Sequence, residues 1–369
     1  MRHFITSCTC VLFAVALVAC GSSPLDAGIT GSCSAKIRSE RWVDVDGARL
    51  YLLLRGNRCR TPILLLLHGG PGAAERPLFR LYDHALEKKF LVAYLDQRGA
   101  GRSWDREADP KELTIARHVK DLEQVVAHLR RSHPDRPLIL IGHSWGSALG
   151  LIFAAEYPED IRAVIAVNPL VNMRASQKAQ IDFVRAHARR RDDDSSLAEL
   201  EKIGPPPFTG PEMLAMQKLV GRFGGEFHNR PSFLKATLLG MLKGYETLPG
   251  LRRLIEANES SVAAMADELA GLKLDAQTTP LKVPLLLMVG RYDHILPPEE
   301  AIAFGRSQRS TTVETIWFEG SAHNIPFEQP EAFVAAVTRY AEAAGLDPVE
   351  PDMSARPEVR SKLFADPRK

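Results

Sequence analysis

The sequence lacks the marks of several protein classes. Lys plus Arg total 47 and Asp plus Glu total 45, and the formal net charge of +2 gives no electrostatic basis for binding nucleic acid. The chain has no G-x-x-x-x-G-K-[ST] phosphate loop and no H-E-x-x-H zinc motif, so we expect neither a metal nor an organic cofactor. What remains is an ordinary globular composition, 45% hydrophobic over 369 residues, which suits one large domain with an insertion or two domains.

The N-terminus has a short basic start followed by an apolar run at 11–19. That run is too short for a membrane span, which needs about 20 residues, but it suits the core of a signal peptide. It leads into Leu17-Val-Ala-Cys-Gly21, which resembles a bacterial lipobox. The resemblance implies an exported lipoprotein anchored to the cell envelope by a diacylglycerol on Cys20, and Gly21 favours the outer membrane or the periplasmic face. The alternative is an ordinary secretory signal with an incidental cysteine.

Cysteine is scarce, with five residues in the chain. Cys8 and Cys10 would leave with the signal peptide, and Cys20 would be acylated. An exported protein can oxidise the remaining pair, so a Cys33–Cys59 disulfide is one expectation and two free thiols are the other. Neither of these two cysteines has the spacing of a metal ligand.

Short apolar runs alternate with helical patterns along the chain. Each run ends in small or polar residues, which is typical of strands buried on both faces of a parallel sheet. The strands predicted in this way are Ile63–Leu67, Leu91–Leu95, Leu138–Ile141, Ala163–Val167, Leu285–Val289 and Val313–Phe318. A hairpin turning at Asp46-Gly47 precedes them, and amphipathic helices such as Thr114–Arg131 separate them. The pattern predicts an α/β fold with a mostly parallel central sheet and helices on both faces.

The alternation stops between Asn172 and Leu281, where the pattern is helical and is broken by Gly- and Pro-rich stretches. We interpret this stretch as a helical cap inserted between two strands. Regular structure is expected to start near Arg41. The predicted organisation is a signal peptide at 1–19, a Gly/Ser-rich tether at 20–39, a core at 40–171 and 282–344, a cap at 172–281 and a disordered tail at 345–369.

The motif Gly142-His-Ser-Trp-Gly146 lies between a strand of the buried type and a helix. In that context a G-x-S-x-G match predicts a nucleophile elbow, because the two glycines leave room for a cramped turn that raises the serine above the sheet edge. Ser144 is therefore the candidate nucleophile. The competing interpretation is a Gly-rich turn with an inert serine.

A serine hydroxyl needs a base, and the base needs an acid that orients it. His323 follows the last predicted strand, and Asp293 follows the strand before it. Because the carboxyl ends of parallel strands meet at one edge of a sheet, we predict a catalytic triad of Ser144, His323 and Asp293. The strand at 163–167 is followed by Asn168 and no carboxylate, which strengthens the choice of Asp293.

A further Gly-rich turn, His68-Gly-Gly-Pro-Gly72, follows the strand at 63–67. Backbone N–H groups held in such a turn can stabilise the oxyanion that forms during acyl transfer. We predict that the N–H groups of Gly70 and Trp145 form the oxyanion hole. A tight turn without a catalytic role is the alternative.

Over residues 40–345 the chain resembles the proline iminopeptidases and their α/β-hydrolase relatives. The resemblance rests on the motifs His68–Gly72, Asp96-Gln-Arg-Gly99, Gly142–Gly146, Gly290-Arg-Tyr-Asp293 and Ala322-His323. It implies the α/β-hydrolase fold and the triad roles of Ser144, Asp293 and His323. It also implies that Asp96 and Arg98 are structural, buried beside the active-site loops and paired.

The same resemblance implies an aminopeptidase that releases N-terminal residues, proline first, from small peptides. In these peptidases acidic cap residues bind the free amine of the substrate. The cap offers Glu212, Glu226, Glu246, Glu256 and Glu259 among its carboxylates, and no motif selects one of them.

The sequence is also compatible with two other functions. A carboxylesterase acting on small esters or lactones would use the same triad, and a non-catalytic envelope protein could use the same scaffold. Epoxide hydrolases and haloalkane dehalogenases are disfavoured because they carry an aspartate where Ser144 stands. The expected partners are a small-molecule or short-peptide substrate and, through the lipid, a membrane.

Overall fold

The computed structural model describes residues 36–57, 61–228, 233–275 and 279–345. Cys20, Cys33 and Cys59 lie outside the described residues, so the lipidation and the disulfide stay predictions. The predicted signal peptide and most of the predicted tail lie outside them as well.

Eight strands of the described chain form one sheet in the order β1-β2-β4-β3-β5-β6-β7-β8. β1 and β2 form an antiparallel hairpin, β2 pairs antiparallel with β4, and all other neighbours are parallel. The strands are β1 (Lys36–Val45), β2 (Ala48–Asn57), β3 (Ile63–Leu67), β4 (Leu91–Leu95), β5 (Leu138–His143), β6 (Ala163–Val167), β7 (Leu285–Gly290) and β8 (Val313–Phe318). This mostly parallel sheet confirms the predicted fold class.

Helices cover both faces of the sheet. Those of the core are α1 (Arg76–Tyr82), α2 (Ile115–Ser132), α3 (Trp145–Glu156), α9 (Pro298–Ser307), α10 (Ile325–Glu328) and α11 (Pro330–Ala343). Those between β6 and β7 are α4 (Met173–Arg190), α5 (Asp194–Ile203), α6 (Gly210–Arg222), α7 (Phe233–Leu242) and α8 (Leu248–Gly271). Among the described residues, none of these helices combines the length and the apolar character needed to cross a bilayer.

Alternate residues along each central strand point to opposite faces and supply two apolar cores. Leu65 and Leu140 belong to the core that includes residues of α2 and α3, whereas Leu64 and Ile139 belong to the core that includes residues of α1 and α11. Because both faces are covered, the central strands are apolar throughout. That is why continuous apolar runs located them in the sequence.

The first strand begins earlier than the sequence indicates. β1 starts at Lys36, inside the stretch predicted as a tether and before the predicted start near Arg41. Lys36 is opposite Asn57 at the far end of the hairpin, so backbone pairing holds a segment whose side chains are exposed or half-buried. Backbone hydrogen bonds do not require apolar side chains, and the sequence pattern therefore carries little signal for this part of the strand.

Parallel pairing brings the carboxyl ends of β3, β5, β6, β7 and β8 to one edge of the sheet. Between β6 and β7 the chain leaves the sheet and forms α4 to α8. Residues of α4, α6 and α8 line a cavity together with residues from the turns that follow β3, β5 and β8. The insertion thus completes a pocket at the sheet edge where the predicted site residues lie.

Candidate active site

Ser144 occupies the sharp turn between β5 and α3, with φ of 55° and ψ of −119°. The turn can form because both flanking positions are glycine. A Cβ at Gly142 would overlap the backbone of Gly146, and a Cβ at Gly146 would overlap the carbonyl oxygen of Leu67. The geometry is that of a nucleophile elbow, in which local backbone strain holds a serine above the sheet.

His323 and Asp293 meet although thirty positions of sequence separate them. His323 Nδ1 lies 2.8 Å from Asp293 Oδ2, and the two residues are 5% and 1% exposed. The other carboxylate oxygen, Oδ1, accepts hydrogen bonds from the backbone N–H groups of Ile295 and Leu296 at 2.8 and 2.9 Å. A carboxylate fixed in this way holds the imidazole with its proton on Nδ1 and leaves Nε2 free to accept a proton.

Ser144 and His323 line the same cavity, which has a volume of about 150 Å³. Gly69 and Gly70 line it from the turn after β3. Within the described chain, no cluster of three or more His, Cys, Asp or Glu side chains is arranged to hold a metal ion. The chemistry available at this cavity is therefore that of a hydroxyl, an imidazole and a carboxylate, with backbone N–H groups nearby.

Of the two predicted oxyanion donors, Gly70 lines the cavity and Trp145 directly follows Ser144. The N–H of Gly69 donates to Glu75 Oε2 at 3.0 Å and is already engaged, whereas Gly70 lines the cavity with φ of 113°. Trp145 is the first residue of α3, where backbone N–H groups have no partner inside the helix. Its buried indole donates to Gln97 Oε1 at 3.1 Å and so anchors the start of the helix.

Asn168 joins the loops of the acid and the base, a role that sequence reasoning missed. Its Nδ2 donates to the carbonyl oxygens of Ala322 and His323 at 3.0 and 2.8 Å, and its Oδ1 accepts from the N–H of Gly290 at 2.8 Å. Asn168 directly follows β6 and stands there in place of a carboxylate. The sequence shows a polar residue at this position. Its hydrogen-bond partners are distant in sequence, so no local pattern predicts them.

A buried pair of Glu75 and His143 supports the same edge, and Glu75 was not singled out from the sequence. His143 Nδ1 lies 2.7 Å from Glu75 Oε1, and His143 Nε2 lies 2.9 Å from the carbonyl oxygen of His323. Both ring nitrogens therefore face acceptors, which favours the doubly protonated imidazolium.

The charges of this pair stabilise each other. Burial lowers the pKa of His143, but the Glu75 carboxylate and its hydrogen bond outweigh that effect and raise the pKa overall. Burial raises the pKa of Glu75, but His143 and the Gly69 N–H outweigh it and lower the pKa overall. The result is a buried ion pair that links the turn after β3, the nucleophile elbow and the His323 loop.

Asp96 and Arg98 are both buried and ion-paired, but with partners outside their own motif. Arg76 Nε lies 3.2 Å from Asp96 Oδ1, and Arg98 Nε lies 2.7 Å from Asp121 Oδ2. A pairing of Asp96 with Arg98 is therefore wrong. Each side chain is paired with a residue of a helix instead, Asp96 with Arg76 of α1 and Arg98 with Asp121 of α2.

Comparison with known proteins gives a family for this arrangement. A family model described as "alpha/beta hydrolase fold" matches residues 62–330. A probable aminopeptidase, YbaC of Bacillus subtilis, is 28% identical over 307 residues, which cover 81% of this chain and 95% of the relative. A proline iminopeptidase of Heyndrickxia coagulans is 28% identical over 303 residues, which cover 81% of this chain and 97% of that protein.

A solved structure shows the same fold. The crystal structure of the proline iminopeptidase of Mycobacterium smegmatis aligns with a TM-score of 0.62 and 19% sequence identity. The alignment covers 84% of this chain and 99% of that one.

Proposed function

The chain belongs to the α/β-hydrolase family and is a hydrolase, and we propose that it acts as a serine hydrolase through an acyl-enzyme on Ser144. The observation that supports this most is the His323–Asp293 pair, buried at the cavity that Ser144 also lines. The elbow geometry of Ser144 supports it further.

In the proposed reaction His323 Nε2 takes the hydroxyl proton of Ser144 while Oγ attacks the carbonyl carbon of the substrate. The N–H groups of Gly70 and Trp145 donate to the oxyanion of the tetrahedral intermediate. The intermediate expels an amine or alcohol, which leaves with the proton from His323. Water then attacks the acyl-enzyme, with His323 again as base, and the acid product leaves Ser144 free. Asp293 keeps the imidazole oriented throughout.

The substrate class we propose is a small peptide with a free N-terminus, proline first. Among the five cap glutamates named above, Glu226 lines the cavity. Glu212 caps its own helix, Glu246 lies at the start of α8, Glu256 pairs with two arginines, and Glu259 is exposed. Since a cationic amine entering a closed pocket needs a carboxylate partner, Glu226 is our candidate for binding the substrate amine.

Glu226 also contacts the catalytic loop directly. Its backbone carbonyl accepts from the N–H of His323 at 3.1 Å and from Asn324 Nδ2 at 3.1 Å. Its carboxylate accepts from Gln217 Nε2 at 2.7 Å. The backbone of Glu226 is therefore fixed next to the loop that carries the base, and Gln217 holds its carboxylate.

The test uses the full chain in detergent with three fluorogenic substrates: a free prolyl amide, its N-acetylated form and a short-chain ester. We expect turnover of the free prolyl amide and a loss of at least about 10⁴-fold in kcat for Ser144→Ala. Turnover of the ester alone, lost in the same variant, would replace the aminopeptidase with a carboxylesterase on the same residues. Undiminished turnover by Ser144→Ala would contradict the serine mechanism.

For the location of the protein in the cell, we propose that the enzyme is an envelope lipoprotein acylated at Cys20. The support is the sequence Leu17–Gly21 after a signal-like apolar run. Expressed in a bacterium fed labelled palmitate, the wild type should incorporate label and Cys20→Ala should not. Equal labelling of both proteins would contradict the proposal.

A further inference from the structure

The cavity at Ser144 is lined by several carboxamide side chains, most of which are held by fixed partners. Each of the held amides donates through its nitrogen to a carbonyl or carboxylate oxygen at 2.7–3.1 Å. They are Gln180, which donates to Ile295 O, Gln217 to Glu226 Oε1, Asn258 to Pro71 O and Asn324 to Glu226 O. These amides are built into the wall of the cavity.

Gln177 differs from all of them. It lies on α4, lines the same cavity and is 1% exposed. Within the described chain, neither its Oε1 nor its Nε2 has a hydrogen-bond partner. Burying an amide without partners is unfavourable, because the group loses its water and gains nothing in return.

The neighbours of Gln177 on α4 show that the helix can satisfy polar groups where it needs to. Ser176 Oγ donates to the carbonyl of Asn172 at 2.9 Å, and Gln180 reaches Ile295 at 2.7 Å. Met173, one turn before Gln177, also lines the cavity and shows that an apolar residue is accepted on this wall. A buried, unpartnered amide among such neighbours is best explained by a partner that arrives with the substrate.

We propose that Gln177 is a specificity residue that binds an amide group in the acyl part of the substrate. The inference rests on the proposed acyl-enzyme at Ser144. The acyl part is the portion that stays attached to Ser144 through both half-reactions, so the cavity next to Ser144 is where it is held. A carboxamide offers one acceptor oxygen and an N–H donor side by side. Another primary carboxamide matches both, and a peptide unit matches one of them.

The substrate class follows from this match. A plain hydrocarbon acyl group, including that of proline, would leave Oε1 and Nε2 of Gln177 unpaired. The carboxamide side chain of an N-terminal residue would pair both, and it keeps the free N-terminus proposed above but replaces proline as the preferred residue. A peptide unit that precedes the scissile bond would pair one of the two, and it would replace the aminopeptidase with an enzyme that cleaves after an acylated residue. Sites built to hydrogen-bond a polar group discriminate strongly against analogues that lack it.

Two isosteric substrate pairs distinguish these sources in wild type and Gln177→Leu. The first pair is the 7-amido-4-methylcoumarins of glutamine and norleucine, which differ in a side-chain carboxamide. The second pair is the p-nitrophenyl esters of N-acetylglycine and pentanoic acid, which differ in a peptide unit. For each pair the measurement is the ratio of kcat/KM for the amide-bearing member to kcat/KM for the hydrocarbon member.

We expect the ratio of one pair to fall about tenfold in Gln177→Leu, and the pair that responds identifies the source. Gln177→Met, which keeps the length of the side chain, should give the same fall. The melting temperature of both variants should be unchanged or higher, since an unsatisfied polar group is removed. Gln180→Leu is the matched control one turn away, and it should melt lower because it leaves the Ile295 carbonyl without its donor.

Unchanged ratios for both pairs in both variants would overturn the proposal, provided that wild type hydrolyses at least one substrate of each pair. A melting temperature of Gln177→Leu that falls as far as that of Gln180→Leu would also overturn it, because Gln177 would then be structural. If wild type hydrolyses none of the four substrates and a fluorophosphonate forms no adduct with Ser144, the proposed function itself fails, and this inference fails with it.

Discussion

The carboxyl edge of the sheet and the inserted helices α4, α6 and α8 both line the cavity at Ser144, but one polar side chain of the insertion lacks the kind of fixed partner that those of the edge have. At the sheet edge, Asp293, Asn168 and the Glu75–His143 pair are buried or nearly so and fully engaged with fixed partners. In the insertion, Gln177 is buried and lacks a partner within the described chain. The outer side of the insertion is also distinct, since Leu242 is 86% exposed.

We interpret this difference as a division of roles, in which the sheet edge holds the groups that carry out the reaction and the insertion selects the substrate. A catalytic group must be held in one geometry before the substrate arrives, so the side chains that position His323 and the elbow have their partners in advance. A recognition group must keep its hydrogen-bonding capacity for the ligand. The predictions below test whether changes at the edge act on chemistry and changes in the insertion act on selectivity.

The largest effect is expected at the sheet edge, from Asp293→Asn. The amide cannot hold His323 with its proton on Nδ1, so kcat should fall about 10⁴-fold for every substrate that the enzyme turns over. The melting temperature should change little, because the side chain keeps its shape. A loss confined to one substrate class would contradict a role for Asp293 in the chemical step.

A smaller and more selective effect is expected in the insertion, from Glu226→Gln. Loss of the charge should lower kcat/KM for a free prolyl amide by about tenfold to a hundredfold, as expected for a hydrogen bond to a charged group. The N-acetylated amide and a short ester should be affected much less, because neither carries the cationic amine. Equal losses on all three substrates would assign Glu226 to the geometry of the His323 loop instead.

A pH effect is expected from the buried Glu75–His143 pair. The pKa of His143 in the folded protein is raised above 6.5, its ordinary value, so protonated His143 contributes its full stability below that pH and loses this contribution as the pH rises through the raised pKa. The melting temperature of wild type should therefore fall more steeply above neutral pH than that of His143→Gln. Parallel curves for the two proteins would show that His143 is not charged in the fold.

The smallest effect is expected on the outer side of the insertion. Leu242→Ser should change the free energy of unfolding by less than about 0.5 kcal/mol, as is usual for exposed positions. The matched change in the core, Leu140→Ala, removes a fully buried side chain from the sheet and should cost about 2–5 kcal/mol. Chemical denaturation measures both, and comparable losses would mean that Leu242 is covered in solution.

Features that short stretches of sequence determine could be predicted from the sequence alone. The central strands follow from apolar runs, and the elbow at Ser144 follows from glycines that the turn requires. Asp293 and His323 could be placed because each directly follows a strand, and parallel strands bring such positions to one edge. The same reasoning did not find the start of β1, which is set by backbone pairing with β2.

The contacts that sequence reasoning missed all join distant parts of the chain. His143 and Glu75 were each visible, but no spacing rule connects a residue of the elbow to one in the turn after β3. The partners of Asp96 and Arg98 lie on α1 and α2, and the pairing could be read only from the fold. Gln177 gave no signal at all, because an isolated glutamine on a helix is ordinary until its surroundings are known.

The most direct test of the central claim is covalent labelling of the full chain with a fluorophosphonate, followed by intact-mass measurement. We expect a single adduct on wild type, none on Ser144→Ala, and slow formation on Asp293→Asn, since the nucleophile is then present without an oriented base. An adduct that forms on Ser144→Ala as fast as on wild type would contradict the assignment of Ser144 as the nucleophile.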